Sequence, residues 1–274
     1  MAKISVIIPV YNCEDYLDET LSSVLSSSLT DIEIIIVDDG SLDASYNKCL
    51  NWANKDSRIK LIKQTNKGVV IARNNAIQIA QAEYIFPLDA DDKIHPNCLE
   101  KLLTIIETND YDVIYSQVEF FGAKTGIFKL PKAIPEEMIQ RNVVVCSALY
   151  KKSDWQKYRG YDLACHKGYE DWEFWLNFFA DNKKFYRVDE SLFFYRIRSN
   201  SRNNIINQND YHYIYTYIRQ KHQTLYAKYY KKVKIINSIN KLFKILKSPI
   251  TFFLSKSQKK KWKNFKIPYR IITK

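Results

Sequence analysis

Four short apolar runs alternate with helix-patterned stretches in the first hundred residues, and this alternation constrains the chain most. The runs are KISVIIP (residues 3–9), IEIIIVD (32–38), Ile59–Ile62 and Tyr84–Leu88. Between them, Tyr16, Leu17, Leu21, Val24 and Leu25 give helical spacing over 13–27, and helices are predicted over Tyr46–Ala53 and Val69–Ala80. Strand and helix alternating with short connections predict an α/β fold on a mainly parallel sheet. In such sheets ligands bind beyond the carboxyl ends of the strands. The strand ends are Pro9-Val10-Tyr11-Asn12, Asp38-Asp39-Gly40-Ser41 and Asp89-Ala90-Asp91-Asp92, so three polar clusters are expected on one edge.

Further along, a helix is predicted at Cys98–Glu107 and a strand at Val113–Phe120. A loop-like segment runs from Gly122 to Arg141, and Val143–Tyr150 is a further apolar run. GYEDWEFWLNFFA (168–180) has the aromatic density of a mostly buried helix, and VDESLFFYRIRSNS (188–201) closes the body. There is no internal repeat.

Several chemistries are excluded by what is missing. The six glycines form neither GxGxxG nor GxxxxGK[ST], and no GxSxG elbow occurs. The four histidines lack metal-ligand spacing. The five cysteines form no CxxC pair, which fits a reducing cytosol better than a disulfide framework or zinc site. Carboxylates remain as the groups available for chemistry.

Each acidic cluster has two readings. Asp89-Ala90-Asp91 supplies hard oxygen ligands suited to Mg²⁺ or Mn²⁺ at a diphosphate, or is a solvated acidic turn before the helix that follows Pro96. Asp38-Asp39-Gly40-Ser41 is a turn with an N-cap, or a reader of nucleoside hydroxyls and base N–H groups. Glu170-Asp171 complements a helix dipole, or offers a general base in a partly apolar pocket walled by Trp172 and Trp175, where desolvation raises its pKa.

PVYN (9–12), VDDGS (37–41), NKG (66–68) with ARNNA (72–76), LDADD (88–92), GYEDWEFW (168–175) and YRIRSNS (195–201) occur in one order. From about Ile4 to Ser201 the chain thereby resembles the family 2 glycosyltransferases of the GT-A fold. The resemblance implies a mixed, mainly parallel, Rossmann-like sheet flanked by helices. It also implies an enzyme that inverts the anomeric centre of a UDP-sugar in one displacement. Residues 1–100 would form the nucleotide-sugar half and 101–204 the acceptor half. By the same resemblance Pro9, Val10, Tyr11, Asn12, Asp38, Asp39, Lys67, Arg73, Asp89 and Ala90 bind the donor. Within that set Asp39 meets the uracil, Lys67 and Arg73 lie near ribose or diphosphate, and Asp89 is on the ribose side. Asp91 would ligate Mn²⁺ or Mg²⁺, Asp171 would be the catalytic base, and Glu170 and Trp172 would shape the acceptor site. Many relatives read YRxH where this chain has YRIR. Arg198 cannot ligate a metal but can grip phosphate in a fork, so a direct diphosphate contact is expected, with less need for metal.

The formal charge of +12 hides a polar division. Beyond Asp210 the chain has 17 Lys and Arg and no Asp or Glu, whereas the first 210 residues carry 25 basic and 30 acidic side chains. Within this tail (residues 205–274), Ile235, Ile239, Leu242 and Leu246 fall on one helical stripe with lysines elsewhere, and KKKWKNFK follows. A basic amphipathic segment with aromatic anchors reads as an interfacial membrane binder. Residues 231–266 are therefore expected on an anionic membrane surface; packing on the body and nucleic acid are the alternatives, and nucleic acid is not expected. No run reaches the ~18 apolar residues of a membrane span, and the N-terminal apolar run is short for a signal peptide. The expected location is the cytoplasmic face of the cell membrane.

The combined expectation is an inverting, metal-assisted transfer of a hexose or N-acetylhexosamine from a UDP-sugar to a lipid-linked bacterial surface glycan. The rivals are a sugar-1-phosphate nucleotidyltransferase, which would normally carry an N-terminal glycine-rich loop absent from Met1–Asn12, and a non-catalytic nucleotide- or glycan-binding module.

Overall fold

The computed structural model describes residues 2–198, 208–235 and 238. The expected membrane-binding segment 231–266 lies outside the described residues except for 231–235 and 238, as do Ser199–Ser201 of YRIRSNS.

Strands β1 (Ile4–Val10), β2 (Ile32–Asp38), β3 (Ile59–Lys63) and β4 (Tyr84–Pro87) run parallel in the order β3-β2-β1-β4. Helices α1 (Leu17–Leu25), α2 (Ser45–Lys55) and α3 (Val69–Ile79) connect them. Every residue of β1, β2 and β4 is buried, as strands covered on both faces must be, and this is why they read as continuous apolar runs. Within β2 the buried Glu33 accepts hydrogen bonds from Ser5 Oγ (2.6 Å) and Lys60 Nζ (2.8 Å).

The sheet continues through the second hundred residues as β4-β8-β6-β9-β5. Here β5 is Lys93–Ile94, β6 Val113–Gly122, β8 Leu149–Lys151 and β9 Phe185–Ile197. Pairing becomes mixed: β8 is antiparallel to β4 and β6, β6 and β9 are parallel, and β5 is antiparallel to β9. Helix α4 (Cys98–Thr108) follows β5. The loop-like segment 122–141 contains two short elements, β7 (Gly126–Phe128) pairing back on β6 and helix α5 (Pro135–Met138), which has a proline in its first turn. The apolar run Val143–Tyr150 contributes a strand only at its end. Helix α6 (Lys152–Lys157) follows it, then helix α7 (Glu170–Ala180), which packs aromatic rings on Tyr150, and helix α8 (Gln208–Lys221).

The chain divides into two compact units, residues 1–223 and 224–274. In the second, residues 224–235 are helical. Among the described residues no helix is long and apolar enough to cross a membrane.

Candidate active site

The parallel registers Val10↔Asp38 and Ile7↔Pro87 bring the three polar strand ends to one edge of the sheet. At the β1 end, Asn12 adopts a left-handed backbone (φ 50°) that asparagine tolerates. Its side-chain oxygen accepts from Leu42 N–H (2.8 Å), and its own N–H donates to Ser41 Oγ (3.1 Å), tying the β1 and β2 loops together.

At the β2 end the two aspartates divide. Asp38 is fully buried and accepts from Ser41 N–H (3.3 Å); its Oδ1 has no partner among the described residues. Asp39 accepts from Lys67 N–H and Gly68 N–H, both at 2.8 Å, and from Gln64 Nε2 at 2.7 Å. It thereby fixes the NKG loop at the N-terminus of α3. Gly40 is required for this: its φ is 74°, and a Cβ there would lie 2.8 Å from Asn66 N.

Arg73 projects from α3 and is only 2% exposed. One guanidinium nitrogen reaches Asp89 Oδ1 (2.5 Å) after β4, and the other reaches Glu170 Oε1 (2.8 Å) at the start of α7. The end of β4 and the start of α7 are thus joined by one buried cation. Glu170 is turned inward to Arg73. Trp172 is likewise interior, 2% exposed, with its Nε1 donating to Met138 O of α5 (2.7 Å).

Asp171 differs from its neighbours. It is half-buried, and its carboxylate accepts from Asn142 Nδ2 (2.8 Å) and Trp172 N–H (2.8 Å). Desolvation, and then the Glu170 charge, push its carboxyl up to about 7 against the opposing pull of Arg73. Cys146 lies beside Asp89, its Sγ 3.8 Å from Oδ2; burial, then the charge of Asp89, hold its thiol well above its ordinary value.

The acidic corner after β4 is clamped by the end of β9. Arg198 Nε lies 2.8 Å from Asp91 Oδ2. Arg196 donates through Nε to Asp91 O (2.7 Å), through its backbone N–H to Asp92 Oδ1 (2.8 Å), and pairs with Glu19. Asp92 is buried with its second oxygen lacking a partner among the described residues. Among the described residues no three His, Cys, Asp or Glu side chains converge on one point. The partly exposed Asp91 carboxylate supplies hard oxygen donors of the type a divalent ion takes together with phosphate oxygens.

Sequence reasoning did not single out Asn142, Arg196 or Cys146. Arg196 had a signal, its place in YRIR; Asn142 and Cys146 lie in irregular chain with none.

Solved structures with this architecture include S. aureus TarS 1–349 in complex with UDP-GlcNAc (TM-score 0.66, 22% identity, covering 77% of this chain and 64% of that one). In sequence, the uncharacterized glycosyltransferase MJ1057 of Methanocaldococcus jannaschii is 31% identical over 258 residues, 89% of each chain. The uncharacterized glycosyltransferase YibD of Escherichia coli is 36% identical over 124 residues, 45% of this chain and 36% of that protein, so the chain matches little more than a third of that relative's length. The family model described as glycosyl transferase family 2 matches residues 5–232. With this match, and with the mixed α/β sheet it shares with solved GT-A enzymes, the chain belongs to glycosyl transferase family 2.

Proposed function

We propose that the chain transfers a hexose or N-acetylhexosamine from a UDP-sugar to a saccharide hydroxyl with inversion, Asp171 acting as base. The observation that carries this reading is the Asp171 carboxylate in the first turn of α7, held in direction by Asn142 Nδ2, and burial with the Glu170 charge raises it to about 7. A base poised near neutral pH is matched to abstracting a hydroxyl proton at the moment of attack, worth ~10²–10⁴-fold in rate. In the displacement the acceptor oxygen bonds to the anomeric carbon and its proton passes to Asp171. The anomeric C–O bond to the diphosphate breaks, and the electron pair leaves with UDP.

The rest of the edge supports the donor side. Asn12, Asp38, Asp39 and the Lys67 loop line the carboxyl ends of β1 and β2, with Pro9, Val10 and Tyr11 before them, where a nucleoside belongs in such a sheet. Asp89 and Ala90 follow β4, and Arg73 holds Asp89 in place. Asp91 would hold Mn²⁺ or Mg²⁺, which supplies charge neutralisation of the leaving diphosphate. Arg198 beside it offers a fixed positive charge for the same phosphates. Glu170 and Trp172 act from beneath the acceptor site, through Arg73 and α5. The acceptor is read as a lipid-linked surface glycan, and the basic stretch 231–266 as a contact to an anionic membrane on its cytoplasmic face.

The test is UDP release from a panel of UDP-sugars, with and without EDTA, by wild type and Asp171→Asn. Release by wild type alone supports the reading. Full activity of Asp171→Asn removes Asp171 as the base, and undiminished release in EDTA removes the metal.

A further inference from the structure

Four aromatic rings gather where the start of α7 meets α8. Tyr169 immediately precedes Glu170 and Asp171, and its backbone is left-handed at φ 60°. A bulky residue holds that conformation only at a cost of roughly 1–2 kcal/mol. Its ring centroid lies 5.7 Å from that of Tyr211 on α8, and Tyr211 stacks on Tyr215, one turn further along, at 5.8 Å and 20°. Trp172 closes the cluster from below, 6.0 Å from Tyr169 and 5.7 Å from Tyr215.

Exposure rises steadily across these rings. Trp172 is interior, Tyr169 and Tyr215 are half-buried, and Tyr211 is 45% exposed. Polar contacts seat α8 without help from the outer ring. Tyr217 OH donates to Asp162 Oδ2 (2.6 Å), Lys167 pairs with Asp210 (2.6 Å), and the buried Glu173 takes Lys221 Nζ (2.8 Å) and His222 Nε2 (2.9 Å). Helix packing therefore explains Trp172 and Tyr215. It explains neither the strained placement of Tyr169 nor the open face of Tyr211.

We infer that Tyr169, Tyr211 and Tyr215 form a stacking platform for a sugar ring of the acceptor, one ring removed from the hydroxyl that reacts at Asp171. A pyranose has an apolar C–H face and a hydroxyl rim. Tyrosine matches it with a flat apolar body and a polar tip. Asp171 follows two residues after Tyr169, and its charge reaches that tyrosine's hydroxyl, so a saccharide held on the platform lies near the carboxylate. It carries no carboxylate of its own, which suits a neutral saccharide. The inference rests on the transferase reading for its register relative to the reacting hydroxyl, while the stacking itself stands on the tyrosines.

The experiment uses the full chain and three defined probes, the methyl β-glycosides of lactose, cellobiose and N,N′-diacetylchitobiose. Saturation-transfer NMR reads binding, and UDP release from UDP-glucose, UDP-galactose and UDP-GlcNAc is followed in parallel. At least one disaccharide is expected to show saturation of ring C–H protons. Tyr211→Ala is expected to weaken its binding about fivefold or more, and Tyr211→Phe to restore it, with melting temperatures of both close to wild type. No saturation from any probe with wild type, or equal binding by wild type and Tyr211→Ala, overturns the platform. The two readings fail separately. Tyrosine-dependent glycan binding without UDP release removes the UDP-sugar transferase reading and leaves the platform; UDP release with Tyr211→Ala binding the probes as wild type removes the platform and leaves the transferase.

Discussion

Arg73, itself buried, pairs through Nη2 with Oδ1 of the part-exposed Asp89 at 2.5 Å, and the same guanidinium holds the buried Glu170 at 2.8 Å. One side chain thus joins the end of β4 to the start of α7. Replacing it by methionine leaves two carboxylates facing one another without their cation. Removing one partner from a buried ionic cluster costs about 3–5 kcal/mol. Arg73→Met is expected to lower the melting temperature by on the order of 10 °C, at about 2–4 °C per kcal/mol for a chain of this size. Arg73→Lys is expected to rescue it only in part, because an ammonium cannot span both carboxylates as a planar fork does. Calorimetry of the three proteins checks this, and a Lys variant as stable as wild type would refute the two-handed role.

The raised carboxyl of Asp171 fixes the sign of two pH effects. Its folded value of about 7 lies above its ordinary 3.8. In its proposed role as base it works only when ionised, so kcat/KM should rise tenfold per pH unit below about 7 and level off above. Stability runs the other way. The folded state holds the proton more tightly, so the carboxylate is destabilising above about 7, less so as pH falls towards 3.8, and not at all below that. At ~1.4 kcal/mol per pH unit the ceiling is ~4 kcal/mol, and partial exposure reduces it to ~1–2. Asp171→Asn should therefore abolish transfer and raise the melting temperature relative to wild type more at pH 8 than at pH 5. A gain independent of pH would show that the carboxylate is not strained.

Asn142 sets how high that carboxyl stands. Its Nδ2 donates to Asp171 Oδ2, a bond that favours the ionised form. Asn142→Ala should move the midpoint of the pH–rate profile upward by a few tenths to one pH unit and lower kcat about tenfold through misorientation. Thermal stability should change by less than ~1 kcal/mol, since Asn142 is only half-buried. A fall in activity with an unmoved midpoint would assign Asn142 to substrate binding instead.

These three residues differ in how visible they are in the sequence. The parallel half of the sheet was legible because strands buried on both faces leave unbroken apolar runs, and the three strand-end clusters follow from that. Strand β5 left no such trace: two residues long, it exists through its pairing with Phe193 and Phe194 of β9. The residues alone offered Glu170-Asp171 as a pair at a helix start, and the family resemblance picked out Asp171 from it. The inward turn of Glu170 to Arg73, 97 positions away, depends on how α3 packs, which no local pattern encodes. Trp172 illustrates the same limit: the sequence offered it as a pocket wall, and the commitment of its indole N–H to Met138 O could not be read there. Asn142 lies in irregular chain, where side-chain direction is fixed only by the tertiary path.

Arg198 and Asp91 offer the sharpest test of the donor side. Arg198 Nε lies 2.8 Å from Asp91 Oδ2, and its guanidinium sits over the ring of Tyr16 at 5.1 Å. The cation is therefore already positioned in the acidic corner before any phosphate arrives. Hydrogen bonds to charged groups contribute about 1.5–3 kcal/mol each, so Arg198→Ala should raise the donor KM roughly tenfold or more. Losing that charge should also make transfer lean harder on the proposed metal, with EDTA depressing UDP release further in the variant than in wild type. Arg198→His provides the complementary arm: it restores a side chain able to ligate a metal, and should recover donor affinity with Mn²⁺ but not in EDTA. An unchanged donor KM in Arg198→Ala would mean that Arg198 serves only to neutralise Asp91 and never reaches the diphosphate.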